Sequence, residues 1–178
     1  MKLIAVGLFC IFLAGGCVKT ASQPGEVSGF VPVYTPETVA KAIVFSAVAK
    51  PTENAGKILV IGNLLYQVET GAGVHVMDIA NPASPVKKGF ISVPGCQELA
   101  AKGSDLFVNN YNDLVVLTPT IAGGVTSVAV LRRVSNAFPA ALNSLPTGTG
   151  IYFECPDPAK GYVSGWVRAT IKNPKCRR

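Results

Sequence analysis

The chain has 178 residues, is 49% hydrophobic and only 15% charged, and carries a formal charge of +6. Apart from the pairs Lys87-Lys88, Arg132-Arg133 and Arg177-Arg178 its basic residues are scattered. A nucleic-acid surface needs a basic stripe interleaved with aromatics, so nucleic acid is excluded as an expected partner.

The first residues read as an address. Met1-Lys2 precedes an uncharged apolar run from Leu3 to Ala14. That run is too short for a bilayer span, which takes about 20 residues, and has the layout of a secretory signal. The junction Leu13-Ala14-Gly15-Gly16-Cys17 resembles the bacterial lipobox, whose cysteine becomes the lipidated first residue. The expectation is a signal peptide over 1–16, lipidation at Cys17 and an envelope protein held at the membrane, on the outer membrane. Ordinary cleavage near Gly16, leaving a free thiol, is the alternative. Two lipid signals suffice for stable anchoring, and a three-acyl cysteine exceeds that. Residues 17–29 are small and polar, too poor in apolar groups to offset their ordering entropy, and are expected to be a flexible tether.

A β domain is expected over 30–178. Thr35-Pro36-Glu37-Thr38 predicts a short helix with Thr35 as N-cap and Pro36 at the first helical position. Ala42 to Val48 is β-branched and aromatic enough for a strand, and Pro51 to Gly56 is a turn. Residues 57–93 then give four strands in a row, at 58–61, 64–69, 74–79 and 88–93. The third of these is apolar on both faces except at His75 and Asp78, as suits a strand in the middle of a stack.

The pattern returns about 41 residues later. Gly62-Asn63-Leu64-Leu65-Tyr66 is echoed by Gly103-Ser104-Asp105-Leu106-Phe107, and Val74 to Asp78 by Leu114 to Thr118. Residues 98–134 therefore predict a second set of strands at 99–102, 105–109, 114–118 and 126–134. A β repeat near 40 residues is a propeller signature. Ala137 to Gly150 is expected to be loop, and Ile151–Glu154 with Gly165–Ile171 a closing pair of strands. The predicted class is mainly β: about two antiparallel four-stranded propeller-like blades, forming an incomplete propeller with one short N-terminal helix.

Val74-His75-Val76-Met77-Asp78-Ile79-Ala80-Asn81-Pro82-Ala83-Ser84-Pro85-Val86 resembles the core of the LVIVD repeat, a hydrophobic strand followed by D-x-x-N-P-x-x-P-V. Pro94-Gly95-Cys96, Val108-Asn109-Asn110 through Asp113-Leu114-Val115, and Asn136-Ala137-Phe138-Pro139 are similar to bacterial envelope proteins that carry these repeats. So is the end of the chain, from Tyr152-Phe153-Glu154-Cys155 through Gly165-Trp166 to Asn173-Pro174-Lys175-Cys176. The resemblance covers roughly Gly29 to Arg178. Members of that family are mostly uncharacterised and about twice this length, with further repeats downstream.

Five cysteines need placing. Cys10 leaves with the signal and Cys17 takes lipid. An exported chain favours oxidation. Cys155 and Cys176 flank the final segment (151–178) and lie in the family-like block, so they are the expected disulfide; closing about 20 residues contributes roughly 3 kcal/mol in the chain-entropy picture. Cys96 is expected as a small buried residue, with an intermolecular bridge or reactive thiol as the alternative.

Little here points to catalysis. His75 is the single histidine and is expected to be a packed or hydrogen-bonded strand residue. Asp78, Asp105, Asp113, Glu98, Glu154 and Asp157 each suit a turn or strand end, the alternative being an acid pair. Asn109 to Asp113 suits a hairpin loop, with a calcium-type oxygen set as the alternative. Trp166 with Tyr162 suits core or rim packing, with stacking on a sugar ring as the alternative. No catalytic set, metal site or cofactor is expected.

The functional expectation is a non-enzymatic, lipid-anchored binding or scaffolding module. Its partners would be the membrane, through the lipid, and a protein or glycan. The alternatives are a truncated copy of a longer repeat protein without independent activity, and a propeller-scaffold hydrolase. Two blades alone would leave apolar end faces open, so self-association or dependence on a partner is expected.

Overall fold

The computed structural model describes residues 25–121, 125–138 and 145–178. The chain is mainly β, in antiparallel sheets of which one is strongly curled, with a single short α-helix. The expected signal segment, Cys17 and residues 17–24 of the expected tether lie outside the described residues, as do 139–144 of the expected loop. No helix among the described residues is long and apolar enough to cross a membrane.

The first blade is built from β3 (Ala55–Ile61), β4 (Leu64–Glu69), β5 (Gly73–Asp78) and β6 (Val86–Ser92), in that order. A short β2 (Val44–Ser46) is added outside β6. The second blade is β7 (Leu99–Lys102), β8 (Asp105–Asn110), β9 (Asp113–Ile121) and β10 (Val125–Val134). Both are simple meanders, because each strand is separated from the next by a few turn residues that allow antiparallel neighbours only. As expected from its apolar sequence, β5 sits between β4 and β6, and Val74, His75 and Val76 are all buried.

How the blades stack is written in the side-chain alternation. On β4 the core positions are Leu64, Tyr66 and Val68, and on β5 Val74 and Val76. In the second blade they are Leu106, Val108, Val115 and Leu117. Aligned by the repeat, these match Leu65, Gln67, His75 and Met77 of the first blade. Successive strand residues face opposite sides, so the two blades contribute opposite faces to their shared core. That is front-to-back stacking, as between successive propeller blades, rather than the front-to-front packing of a two-fold sandwich. The contacts agree: β3 meets β7 at one end of the stack, and β10 meets β2 and β6 at the other.

The remaining face of the first blade carries His75, Phe90 and Glu69, all buried. Residues 50–54 lie over it. The backbone N–H groups of Glu53 and Asn54 bond the Glu69 carboxylate, Lys50 Nζ stands 4.4 Å from the Phe90 ring centre, and Lys87 Nζ donates to Lys50 O and Thr52 Oγ1. This face was expected to be open. The strap covers its part at Glu69, His75 and Phe90, while Ile58 and Val60 of β3, on the same face, stay exposed.

A third sheet joins the two ends of the described chain. Its order is β12 (Tyr162–Lys172), β1 (Glu26–Thr35), β11 (Tyr152–Phe153) and β13 (Cys176–Arg177). Here three expectations are corrected. Glu26 to Gly29, placed in the tether, form ladder pairs with Ala169 to Lys172; a regular ladder outweighs their poor local propensity. The expected closing pair is not a pair, because β11 and β12 flank β1 on opposite sides. Thr35 still belongs to β1, paired with Tyr162, so α1 (Glu37–Ala40) has Pro36 as its N-cap, whose carbonyl accepts from Val39 and Ala40 N–H. Cys155 and Cys176 are disulfide-bonded, with Cα atoms 5.3 Å apart, fastening the loop after β11 to β13.

Candidate functional site

Four connections meet at one end of the two blades: the β4–β5 turn with Gly71, the β6–β7 connection with Gly95 and Gln97, the β8–β9 turn with Tyr111 and Asn112, and Asn136 beyond β10. Facing them are Asp157 and the start of β12, from Tyr162 to Trp166. Between the two sides lies a cleft of about 580 Å³, within the usual range of about 300–1,000 Å³ for ligand sites.

The blade side of the cleft is held by buried amides. Asn109 Oδ1 accepts from the Gln97 and Glu98 N–H groups at 2.8 and 2.7 Å, and its Nδ2 donates to Gly95 O and Tyr111 O. Asn110 Nδ2 donates to Ala40 O and Pro94 O. Arg133 clamps the same turn from β10: it donates to Asn110 Oδ1 at 2.6 Å, to Asp113 Oδ2 at 2.9 Å and to Lys41 O at 3.0 Å. Asp113 also accepts from Asn136 N–H. Lys41 lies 3.9 Å from Asp113 and bonds Glu37 at 2.6 Å; the Glu37 bond raises the Lys41 ammonium above its ordinary pKa, against the opposing effect of burial. Thus α1, the β8–β9 turn and β10 are tied into one wall.

These bonds decide the reading of Asn109 to Asp113. The segment is a hairpin turn, with Asn110 paired to Asp113. The side-chain oxygens of Asn109, Asn110 and Asp113 are engaged with N–H donors, and Asn112 Oδ1 is buried and unpaired. Among the described residues no cluster of three or more His, Cys, Asp or Glu converges.

Tyr111 is the most constrained residue of the cleft. Its φ is 53°, a left-handed conformation that is an outlier for a bulky side chain and costs of order 1–3 kcal/mol. Its ring packs on Tyr162, centroids 4.9 Å apart, and lies so close to Gly95 that a Cβ there would come within 2.8 Å of it. Burial raises the Tyr111 hydroxyl pKa, with a hydrogen bond to Thr35 opposing. Asn136, also left-handed at φ 54°, receives the Asn112 Nδ2–H at its Oδ1. Trp166 lines the cleft and packs edge-on against Phe153 at 5.5 Å.

Each residue singled out in the sequence has a place. His75 Nε2 bonds Glu69 Oε2 at 2.8 Å inside the first blade, and neither residue lines the cleft. Asp78 and Asp157 cap turns through the N–H groups of Ala80 and Ala159. Asp105 accepts from Thr118 Oγ1, and Glu98 and Glu154 pair at the surface with Lys57 and Lys160. Cys96 is buried and free, its thiol pushed up to about 12 by burial. Trp166 and Tyr162 do come together, in the cleft wall. The sequence alone places Tyr111 in a hairpin loop and does not mark Gln97. The signal for both was their position in connections at one end of a predicted stack, where the ends of repeats converge.

Fold and site together define a two-blade, propeller-like β domain with an aromatic and amide cleft at one end. No family model, no curated protein and no solved structure matches the chain.

Proposed function

We propose that the protein is a non-enzymatic binding module of the bacterial envelope, anchored through lipid at Cys17, that takes its ligand in the cleft at the blade ends. The observation that carries this reading is the cleft itself: a preformed site whose walls are fixed by the Asn109, Asn110 and Arg133 bonds. Binding sites are concave, largely preformed and lined by aromatics with a few placed polar groups. Asp157 and Glu37 both line this cleft, but Glu37 is paired with Lys41 and Asp157 caps a turn through the Ala159 N–H, which favours recognition over acid–base or nucleophilic catalysis. The envelope address rests on the signal-like residues 1–16 and on the disulfide, which suits an oxidising compartment. Membership of the LVIVD-repeat proteins rests on the motif from Val74 to Val86 and is part of the same proposal.

Two measurements test it. Metabolic labelling with a fatty acid should mark the wild type and not Cys17→Ser, and an unlabelled wild type removes the anchor. Titration of the full chain with separated lipid, glycan and protein fractions of an envelope should give saturable binding to one of them without turnover. Binding to none, or conversion of a component, overturns the module.

A further inference from the structure

We infer that the cleft is a subsite for a neutral saccharide, an inference that rests on the binding-module reading and names its ligand class. A pyranose ring presents an apolar C–H face and a rim of hydroxyls that each donate and accept. The cleft offers the complement of both. Tyr111, Tyr162 and Trp166 supply aromatic surface, and Gln97 supplies an amide beside Asn112 and Asn136, which bond each other; a side-chain amide is neutral and carries separate donor and acceptor groups.

The aromatic surface is set in advance. Tyr111 is held by a left-handed backbone, by Tyr162 and by the close approach to Gly95. Strained conformations of this kind persist where the surroundings over-determine them, and they gather at ligand clamps. Among the described residues, two of the three left-handed non-glycine residues, Tyr111 and Asn136, line this one cleft. A rigid ring loses little freedom when a sugar docks, which is the advantage of preorganisation.

Charge narrows the class. Among the described residues the lining holds the carboxylates Glu37 and Asp157 and no lysine or arginine, and Glu37 is paired with Lys41 at 2.6 Å. A sulfated, phosphorylated or uronic sugar would bring like charge to Asp157. A quaternary ammonium would suit rings and carboxylates, but choline carries a single hydroxyl, against the rim of hydroxyls that a sugar turns towards the amides.

Trp166 is the only tryptophan in the sequence, so intrinsic fluorescence of the full chain in detergent reports directly on the cleft. The probes are cellotetraose and tetra-N-acetylchitotetraose as neutral saccharides, dextran sulfate as an anionic one, and choline. A saturable shift with a neutral tetrasaccharide is expected, with dextran sulfate at least about tenfold weaker. By calorimetry Gln97→Ala should weaken the neutral ligand by about tenfold, with an unchanged thermal melt. Trp166→Ala should weaken it by about tenfold or more. If that variant fails to fold, Trp166→Phe keeps a ring and should retain most of the affinity. A response to choline or dextran sulfate in place of the neutral sugars overturns the saccharide and leaves the module standing. So does binding of an envelope protein or lipid fraction alone. Silence towards every probe and every envelope fraction overturns both.

Discussion

His75 Nε2 lies 2.8 Å from Glu69 Oε2, with both side chains buried between the first blade and the strap of residues 50–54. The Glu69 carboxyl is held below its ordinary value of 4.5, first by the Asn54 N–H, then by His75, with Glu53 N–H adding and burial opposing. A carboxyl with a depressed folded pKa contributes stability that is present above its unfolded value and lost as pH falls through the folded one. Melting temperature should therefore drop as pH falls below about 4.5. In Glu69→Gln it should already be lower at pH 7 and show a shallower acid slope. Melting curves from pH 7 to 3 check this, and identical slopes in the two proteins would refute the role of Glu69.

Asp113 and Arg133 are the central pair of the cleft wall. The Asp113 side chain is 2% exposed and that of Arg133 22%. Removing one partner of a buried pair strands the other charge, at a cost of about 3–5 kcal/mol. Because Arg133 keeps some contact with solvent, Asp113→Ala is expected at the lower end, about 3 kcal/mol. Urea denaturation gives the number, and a loss under about 1 kcal/mol would mean the pair is solvent-screened.

Gly95 has φ +73°, and a Cβ there would press on the Tyr111 ring. Alanine at a positive-φ site destabilises by more than the roughly 0.4–1 kcal/mol that a compatible Gly→Ala gains, and here the ring must also shift. Gly95→Ala should cost at least about 1 kcal/mol and broaden or move the Tyr111 ring resonances by NMR. Gly62, with φ +56° and nothing near its would-be Cβ, is the control: its alanine variant should show the backbone cost without ring movement.

Cys96 is buried with its thiol pushed up to about 12, so the native protein should resist iodoacetamide at pH 8 and react at this residue once unfolded. A raised folded pKa contributes stability that is present below the unfolded value of 9.0 and is lost as pH rises towards 12. Cys96→Ala should accordingly be less sensitive to pH between 9 and 12. Non-reducing peptide mapping should recover Cys155 joined to Cys176, a separation of 21 residues. Replacing both by alanine should cost about 3 kcal/mol.

The blades were legible because two signals agreed. Glu69 before Gly71 and Gly73, and Lys102 before Gly103, mark where strands stop, while the apolar alternation of Leu64, Tyr66 and Val68 marks what they bury. The structure ends β4 at Glu69 and β7 at Lys102, where the sequence places them. The third sheet was legible only in part. Ile151–Glu154 and Gly165–Ile171 read as strands and are strands, but Glu26 to Gly29 has weak local signals, and β1 enters between them through partners far along the chain. The strap was hidden for the same reason: Glu53 and Asn54 look like turn residues and cover a blade face only through Glu69. At the cleft, Trp166 and Tyr162 were noticed as a pair, but Tyr111 and Gln97 join them only through the stacking of the two repeats.

The position of β1 sets an order on synthesis. Tyr34, at its end, receives a hydrogen bond from the Asp157 N–H 123 residues further on, and its long ladder is with β12. A ribosome delivers β1 early and its partners late. The four meander strands of each blade pair only with their neighbours in sequence and are free to fold while translation continues. During that interval the ten residues from Glu26 to Thr35 have no partner, and an unpaired strand invites pairing with another chain. Pairings of high sequence separation are also slow, because closure entropy comes before any reward. The nascent chain is therefore most vulnerable to intermolecular strand capture between completion of the second blade and emergence of β12.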